Sequence, residues 1–537
     1  MASEVIEEIK TCIDAKKDFL LSGGAGSGKT HTLVETINYI YSKNKNARVA
    51  CITFTKVAAE EIKSRTNSEK LFVSTIHQFL WDSIKSYQHN IKETLLSLIN
   101  KDGEDSIKTE SEISADTFKK GDIQYKEYRK LSEGIVSHNE VITLSKVMFE
   151  KFKLLRNVLK DKYQYILIDE YQDTQEKVIK IVLDFLKNET TKNNVIGFYG
   201  DSMQAIYDWG IGDIHNYVRE SKVIEIIKQD NYRCSISVID FLNKIRGDQV
   251  IQKPSNKDAN GKILNKLGSV KFLYSDKKDI DYSDLKNHSI FSDWDFYDPS
   301  QTKELYLTHN MIAKTNGFYD LNSGFKGHEN LIGEKKNKIA IHLFKIQKML
   351  SLYAERRYNE FMNATEFKIK KLSDKAKLKE KIESLSSNLQ TIENVIDLAD
   401  SYSLIKKDDN FNEFINGEDG SKIYKNIKDL KWDIYVKAFD YEENKTAYST
   451  QHGIKGAEFE NVLVILDNGN WNQYNFSNYL GGRNMNEAVK NRTHKLLYVA
   501  CSRSKNNLVL FCQGINEDLL QSMINLVGSE NCVNFDI

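Results

Sequence analysis

The sequence predicts an α/β protein with parallel sheets that are covered by helices. Short apolar runs recur along the chain, each followed by polar residues or glycine, and several of them precede helix-like segments. Near-continuous apolar runs of this kind are typical of parallel strands buried on both faces. The runs are residues 18–22, 48–54, 165–169, 195–199, 270–274, 305–307, 462–466 and 508–511.

Length and composition set the class of protein. A chain of 537 residues allows about three to five compact units. Its 40% hydrophobic and 28% charged residues exclude wholesale disorder and a fibrous chain. Lys and Arg number 76, as do Asp and Glu, which excludes a protein that is basic throughout. A local basic groove for nucleic acid is still compatible with that balance.

Cysteine usage and hydropathy indicate the compartment. The six cysteines form no close C-x-x-C pair, and the chain begins with no secretory signal. No run of 18 apolar residues occurs, so we expect no membrane span. These features predict a cytoplasmic protein with reduced thiols.

Two regions interrupt the alternation of strands and helices. Residues 81–164 and 331–440 are mostly helix-like, and we interpret both as helical insertions into an α/β framework. Within the second, apolar residues spaced by three and four predict one stripe on a long helix. That stripe packs either against helices of the same chain or in an intermolecular coiled coil. Its members are Leu378, Ile382, Leu385, Leu389, Ile392, Ile396 and Ala399.

A phosphate site is predicted after the first strand. Residues 23–30 fit the pattern G-x-x-x-x-G-K-[ST], between an apolar run and an apolar-periodic helix that starts near His31. Backbone N–H groups of such a loop surround phosphate oxygens, and the helix N-terminus adds its dipole. Lys29 would meet the β- and γ-phosphates, and the Thr30 hydroxyl would bind Mg²⁺. The predicted nucleotide-binding residues are Gly23, Gly24, Ala25, Gly26, Ser27, Gly28, Lys29 and Thr30.

Two acids complete the predicted hydrolytic site. The strand at residues 165–169 ends in Asp169, and Glu170 follows it. Asp169 would hold Mg²⁺ directly or through water. Glu170 would orient and deprotonate the attacking water.

The order of the motifs resembles that of the UvrD/Rep/PcrA-type DNA helicases of superfamily 1A. After the phosphate loop, residues 52–59 are similar to the TFTNKAA block and residues 74–79 to the T-x-H-x-F block. Residues 169–173 resemble the DE-x-QD box, and residues 200–209 the GD-x-x-QSIY-x-W block. The NYR, H-x-x-KG-x-EF and YVA-[ST]-R blocks have counterparts at residues 231–233, 452–459 and 498–503.

This resemblance implies two RecA-like P-loop domains, each a parallel sheet flanked by helices and each with a mainly helical insertion. The first domain would comprise residues 1–80 and 165–221, with the insertion at 81–164. The second would comprise residues 222–330 and 441–537, with a reduced insertion at 331–440.

The resemblance also implies roles for individual residues in ATP hydrolysis. Gln204 would sense the γ-phosphate, and Arg233 and Arg503 would reach it from the second RecA-like domain. Tyr232 would stack on adenine, and Glu458 would hydrogen-bond the ribose.

For DNA, the resemblance points to aromatic side chains. Phe54, Tyr207 and Trp209 would stack on single-stranded bases. His452, together with Lys455, would lie between the ATP site and the DNA. For His77 a structural hydrogen-bonding role and a DNA contact both stay open.

The sequence also departs from the family. Residues 1–22 contain no glutamine, whereas the family reads adenine with a glutamine upstream of the loop, so GTP stays open beside ATP. Gly210 stands where the family has arginine after the tryptophan. Lys56 and Val57 follow Thr55, where the family often has Asn-Lys. Compact helicases of this type resemble the helicase-like subunit of Gabija-type anti-phage defence systems, which works with an OLD-type nuclease.

The expected function is that of an ATP-dependent DNA helicase or translocase. It would hydrolyse ATP with Mg²⁺ between two RecA-like domains and move on single-stranded or partially duplex DNA, 3′ to 5′ by family analogy. The alternative is a helicase-like ATPase and DNA-sensing subunit that regulates a partner OLD-type nuclease in anti-phage defence. A degenerate NTPase kept as a scaffold is the third hypothesis, disfavoured because the catalytic residues are all present.

Overall fold

A computed structural model describes most of the chain. The described residues are 2–66, 70–109, 112–119, 121–187, 193–256, 263, 266–325, 337–386 and 390–536. They form two compact units, Met1–Gly268 with His494–Ser502 and Ser269–Thr493 with Arg503–Ile537. Each unit contains one six-stranded sheet in which every pairing is parallel. The predicted α/β class with two RecA-like sheets is confirmed.

The sheet of the first unit has the strand order β3-β2-β6-β7-β1-β8, which places the strand before the phosphate loop between two neighbours. Two further pairs of short strands, β4–β5 and β9–β10, lie outside this sheet. The strands are β1 Phe19–Gly23, β2 Val49–Thr53, β3 Leu71–Thr75, β4 Gln124–Tyr125, β5 Ile135–Val136, β6 Tyr165–Asp169, β7 Val195–Gly200, β8 Ile224–Lys228, β9 Asp230–Asn231 and β10 Lys253–Pro254.

Helices cover both faces of this sheet. Along β1, Phe19 and Leu21 belong to one buried cluster and Leu20 to the other, as the two-residue period of a strand requires. The helices between residues 76 and 162 pack into the cluster that contains Leu20. The α-helices of this unit are Ala2–Asp14, Lys29–Lys43, Lys56–Arg65, Ile76–Ile84, Gln88–Leu98, His138–Lys151, Lys153–Lys162, Glu176–Ile179, His215–Arg219 and Ile236–Arg246.

The structure differs from the sequence analysis in two segments that were assigned to the second domain. The second RecA-like domain was predicted to begin at residue 222. Strand β8 instead pairs with β1 along its whole length, from Ile224 opposite Phe19 to Lys228 opposite Gly23, and the first unit runs to Gly268. The apolar residues of β8 complete the first sheet. The first unit then continues through the helix Ile236–Arg246 and strand β10 to Gly268. Residues 494–502 were predicted to belong to the second RecA-like domain, but they also lie in the first unit, where the Tyr498 hydroxyl accepts hydrogen bonds from Arg246 and from Ala25 N. The remaining segment boundaries stay predictions.

The second unit repeats the parallel architecture, with the strand order β13-β12-β14-β15-β11-β16. Its strands are β11 Ser269–Ser275, β12 Thr302–Tyr306, β13 Tyr448–Thr450, β14 Phe459–Ile465, β15 Ser504–Gln513 and β16 Cys532–Asn534. The α-helices are His309–Thr315, Tyr319–Gly324, Lys338–Ala354, Tyr358–Ala364, Leu372–Leu385, Ile392–Ser401, Asp409–Asn416, Glu418–Ile427, Trp432–Glu442, Phe476–Leu480 and Glu517–Val527. A further helix, Glu487–Cys501, contributes residues to both units.

The apolar stripe does not lie on one long helix, so that prediction is wrong. One helix ends at Leu385, and the next begins at Ile392 because the Thr391 side chain accepts a hydrogen bond from Asn394 N and caps it. Leu389 lies outside the described residues. The other six stripe residues are all buried within the chain, which supports intrachain packing over a coiled coil.

All six cysteines are free thiols, and five of them are buried. In the part of the chain that the structure describes, no helix has both the length and the apolar character needed to cross a membrane.

The His215 side chain connects strand β8, through Glu225, to the segment that precedes this strand, through Asp213. Its ring nitrogens contact Asp213 Oδ1 and, at 2.9 Å, Glu225 Oε1. Hydrogen bonds with these two carboxylates raise the pKa of His215 to about 10, against the opposing effect of burial. Glu225 also accepts a 2.5 Å hydrogen bond from Ser22, directly before the phosphate loop.

We therefore expect pH-dependent stabilisation by His215. Because its folded-state pKa lies above the unfolded value of about 6.5, its contribution is fully present below that pH and is lost as pH rises towards 10. Urea unfolding of wild type and His215→Gln should show the largest stability difference at the acidic end of this window and almost none at its alkaline end. A difference that stays constant with pH would contradict this ionisation.

Candidate nucleotide and nucleic-acid site

The phosphate loop joins β1 to the helix Lys29–Lys43. Gly26 and Gly28 both have a φ of 75°, a conformation that glycine adopts without strain. The Lys29 ammonium donates to the carbonyl oxygens of Gly23 and Gly24, at 2.9 and 3.3 Å, and the side chain is largely buried. Lys29 thus lies over the loop, as a phosphate ligand would require. The Ser27 hydroxyl is buried and has no hydrogen-bond partner among the described groups.

Side chains from distant parts of the first unit hold the loop. Tyr498 Oη accepts a 3.1 Å hydrogen bond from Ala25 N. The side-chain amides of Asn231 and Gln252 both donate to Ala25 O, at 3.2 and 3.0 Å. A Cβ atom at Gly24 would lie 2.5 Å from the Gln252 carboxamide carbon, so a larger residue there would displace the Gln252 side chain. These hydrogen bonds fix the backbone of Ala25 in the middle of the loop.

The two predicted acids follow β6. Asp169 is buried, and both this burial and the neighbouring Glu170 raise its pKa above the usual range, whereas Lys29 lowers it. Glu170 has a φ of 50°, and Gln172 donates a hydrogen bond to its carboxylate. A buried carboxylate of this kind is stabilised in its charged form by a nearby cation.

The residues present fit a magnesium ion. The Thr30 hydroxyl and the Asp169 carboxylate supply the oxygen ligands that Mg²⁺ prefers, and this ion usually keeps several waters. No cluster of three or more His, Cys, Asp or Glu side chains that could form a complete protein cage occurs within the described ranges. The side chains at this site are therefore consistent with the binding of a nucleotide and Mg²⁺.

Gln204 belongs to a buried polar network centred on Asp201. The Gln204 amide donates to Asp201 Oδ2 at 2.9 Å, and Asp201 N donates to the Gln172 side chain at 3.1 Å. Arg246 binds both carboxylate oxygens of Asp201, at 3.1 and 2.9 Å, and donates to Tyr498 Oη at 2.6 Å. Burial favours the neutral acid, but Arg246 and Lys29 hold the pKa of Asp201 below its usual value. The network connects Gln204 to the phosphate loop.

The residues of the predicted NYR block lie in the first unit. Tyr232 N donates to Gly26 O at 2.8 Å, and its ring lies beside Gly28, 3.3 Å from where a Cβ atom would be. Arg233 donates to Ser502 O at 3.2 Å, within the same unit. The prediction that Arg233 comes from the second RecA-like domain is therefore wrong, because β8 and the residues after it complete the first unit.

Three other predicted site residues lie in the second unit. Arg503 is buried and donates to Ala457 O at 3.3 Å. Glu458 forms a 3.1 Å ion pair with Lys505. His452 Nε2 lies 2.8 Å from Tyr474 Oη. Their predicted roles toward nucleotide and DNA stay predictions.

The three aromatic residues predicted to bind DNA lie together on the first unit. Trp209 stacks on Phe54 and Tyr207, with ring centroids 5.3 and 5.2 Å apart and interplanar angles of 25° and 13°. Phe54 and Tyr207 are 6.4 Å apart. Trp209 keeps 45% of its surface exposed. An exposed, near-parallel stack of this kind offers a platform for unpaired bases.

His77 lines a cavity of about 720 Å³ that Phe54 of this stack also borders. Its ring centroid is 4.4 Å from that of His138. Burial and His138 lower the pKa of His77 to about 4, so the ring is neutral at physiological pH. A neutral imidazole is compatible with both roles predicted for His77, a structural hydrogen bond and a contact with DNA.

Several residues of the site were missed by the sequence analysis. Tyr498 begins the block at residues 498–503, but the sequence analysis assigned no role to it. Gln252 and Arg246 belong to no motif, and only the fold brings them to the loop. Gly210 has a local explanation: a Cβ atom there would clash with the carbonyl oxygen of Gln172, so a larger residue does not fit without a shift.

Comparisons with known proteins find similarity to an AAA domain, to DNA helicases and to a Gabija protein. A family model described as an AAA domain matches residues 7–209. The chain is 27% identical to the Gabija protein GajB of Bacillus cereus (strain HuB5-5), over an alignment that covers 95% of each. It is 25% identical to the ATP-dependent DNA helicase PcrA of Staphylococcus aureus (strain Mu50), over 47% of this chain and 41% of that protein. A probable DNA helicase II homolog of Mycoplasma capricolum is 27% identical over 44% of this chain and 40% of its own length.

Proposed function

We propose that the chain, which is similar to a PcrA-type DNA helicase and to a Gabija protein, is an ATP-dependent DNA translocase. It hydrolyses ATP with Mg²⁺ and moves along single-stranded DNA, 3′ to 5′. The observation that carries the proposal is the buried Asp169, whose charge interacts with Lys29 beside the phosphate loop. A lysine at the phosphate loop and a buried carboxylate at the carboxyl end of a parallel strand suit phosphoryl transfer.

In this proposal each site residue has one task. Lys29 meets the β- and γ-phosphates, and Thr30 and Asp169 hold Mg²⁺, which would neutralise charge on the phosphate oxygens. Glu170 orients and deprotonates the attacking water. Gln204, held by Asp201, senses the γ-phosphate. Arg233 and Arg503 add positive charge in the transition state, Tyr232 stacks on the base and Glu458 binds the ribose.

The proposal is tested by steady-state NTP hydrolysis with and without single-stranded DNA, with ATP and GTP in parallel. Strong stimulation by DNA supports a translocase, and a preference for ATP supports adenine recognition without an upstream glutamine. Hydrolysis that DNA does not stimulate would contradict the translocase. Strand-displacement assays on substrates with 3′ or 5′ overhangs then test the direction of movement.

Replacing Trp209 tests the aromatic platform. We expect Trp209→Ala to weaken single-stranded DNA binding by about 5- to 150-fold, because stacking contributes about 1–3 kcal/mol per base. Fluorescence anisotropy with a labelled oligonucleotide measures the change. Tyr297→Ala is the matched control, since Tyr297 is 98% exposed and lies in the other unit. Equal affinity of Trp209→Ala and wild type would exclude the stacking role.

The second candidate function is a helicase-like ATPase and DNA sensor that regulates a partner OLD-type nuclease. The similarity to GajB, which covers 95% of both chains, favours it. Co-purification with the proteins of the neighbouring genes tests this hypothesis. A stable complex whose DNA cleavage responds to the Lys29→Ala substitution supports a regulatory subunit. Robust strand separation by the isolated chain would support the translocase and would disfavour the regulatory subunit.

A further inference from the structure

A buried lysine ends strand β8 beside the phosphate loop. Lys228 pairs with Gly23 across the parallel ladder, and its side chain is only 4% exposed. Its ammonium donates to Thr32 Oγ1 at 3.1 Å, on the helix that follows the loop. Burial disfavours the charged amine and so lowers the pKa of Lys228 below its usual value. A lysine is seldom buried to this extent unless a partner compensates its charge.

Asp230, two residues further along the chain, supplies the compensating charge. Its Oδ2 atom lies 3.6 Å from the Lys228 ammonium, and its side chain is as deeply buried as that of the lysine. The Ser255 hydroxyl holds the same carboxylate, because it donates to Asp230 Oδ1 at 2.7 Å. The negative charge of Asp230 opposes the effect of burial on the pKa of Lys228. The two side chains thus form a buried ion pair whose acidic half is fixed.

This ion pair contacts two different parts of the Tyr232 side chain. The Lys228 ammonium lies over the aromatic ring, 5.7 Å from its centroid. The Tyr232 hydroxyl hydrogen-bonds Asp230, and burial together with this carboxylate raises the pKa of Tyr232 to about 12. The Tyr232 side chain nevertheless keeps 36% of its surface exposed. A cation therefore covers one face of the ring, and the opposite face is the one that can accept a ligand.

We propose that Lys228 and Asp230 are positioning residues for the nucleotide base, on which they act only through the Tyr232 ring. Lys228 attracts the ring from its buried side, and Asp230 anchors its hydroxyl, so the exposed face is oriented before the nucleotide binds. A cation over an aromatic face stabilises such an arrangement, and preorganisation of a binding group lowers the cost of association. The inference rests on the proposed stacking of Tyr232 on the base, and it adds the groups that hold the ring in place.

Nucleotide binding without hydrolysis tests this inference. Displacement of mant-ATP by ATP and by inorganic tripolyphosphate, each with Mg²⁺ and without DNA, gives two dissociation constants for the full-length protein. Tripolyphosphate carries phosphates but no base, so only ATP can stack on Tyr232. Lys228→Met should weaken ATP binding by about 2- to 30-fold, the range expected when a cation–π contact no longer holds the ring in its stacking position. The affinity of this variant for tripolyphosphate should equal that of the wild type.

A double variant shows whether Lys228 acts through the ring. Lys228→Met should weaken ATP binding no further when it is combined with Tyr232→Ala, because the group that it positions is then absent. Lys222→Met is the matched control. Lys222 lies over the Tyr217 ring at 5.5 Å in the same unit, but it is exposed and pairs with Glu220. This variant should bind ATP like the wild type.

A variant at Tyr232 itself covers the case in which Lys228→Met does not fold, which circular dichroism would show. Tyr232→Phe alters a partly exposed side chain and removes only the hydroxyl that Asp230 anchors. It should weaken ATP binding less than Tyr232→Ala does, and it should leave tripolyphosphate binding unchanged. Wild-type affinity of Tyr232→Phe for ATP would exclude the anchoring by Asp230.

Other outcomes would also overturn the inference. If a folded Lys228→Met binds ATP as the wild type does, the ring needs no positioning. If ATP and tripolyphosphate binding are weakened equally, Lys228 acts on the phosphate loop or its helix and not on the base. If Lys228→Met still weakens ATP binding in the Tyr232→Ala background, its effect does not pass through the ring. These measurements involve neither DNA nor hydrolysis, so they are independent of whether DNA stimulates the ATPase.

Discussion

Lys29→Ala is expected to lower ATP hydrolysis by at least about 100-fold, the size of effect seen when one preorganised charge partner of a transition state is removed. The ammonium lies over the phosphate loop and hydrogen-bonds Gly23 O and Gly24 O. Alanine leaves the β- and γ-phosphates without this cation. It also removes the positive charge that lowers the pKa of Asp169, so the buried acid becomes harder to ionise.

The same substitution should leave DNA binding by the aromatic stack nearly unchanged, because Phe54, Tyr207 and Trp209 stack on one another, whereas Lys29 hydrogen-bonds the backbone of the phosphate loop. Hydrolysis is measured by phosphate release and DNA binding by anisotropy on the same preparation. Lys43→Ala, at the far end of the same helix, is the matched control. If Lys29→Ala retained DNA-stimulated hydrolysis, the loop would not be the catalytic site.

Local patterns predicted the elements that carry the first half of the site. The phosphate loop between β1 and its helix, and the acids at the end of β6, follow from short-range sequence signals that the fold preserves. The aromatic stack could be anticipated only through the resemblance, since Phe54 and Trp209 are 155 positions apart in sequence. The helix break between Leu385 and Ile392 was missed because apolar spacing continues across it, whereas the Thr391 cap that begins the second helix is a weaker signal.

Long-range polar partners could not be predicted at all. Arg246 lies on an amphipathic helix, Ile236–Arg246. The residues next to it in sequence do not indicate that Asp201 and Tyr498 are its hydrogen-bond partners. The boundary after β8 was missed for a related reason. A strand that completes one parallel sheet and a strand that starts the next have the same apolar pattern, so only pairing distinguishes them.

Arg246→Met should destabilise the first unit by about 3–5 kcal/mol, because it leaves the buried Asp201 carboxylate without its cationic partner. Both side chains are only 1% exposed, so water cannot replace the lost contacts. The substitution also removes the donor to Tyr498 Oη, which in turn holds Ala25 N of the phosphate loop. Urea unfolding followed by circular dichroism measures the loss, and Arg219→Met, at an exposed arginine of the same unit, is the control.

A second variant separates the ion pair from simple loss of packing. Adding Asp201→Asn to Arg246→Met removes the unpaired charge, so the double variant should recover much of the lost stability. The double variant should not recover ATP hydrolysis, because it lacks the carboxylate that accepts the hydrogen bonds of Gln204 and Arg246 and so connects Gln204 to the phosphate loop. If Arg246→Met unfolded at the same urea concentration as the wild type, the ion pair would contribute little. If the double variant were no more stable than Arg246→Met, the loss would arise from packing, and the network would not couple the stability of this unit to its catalytic residues.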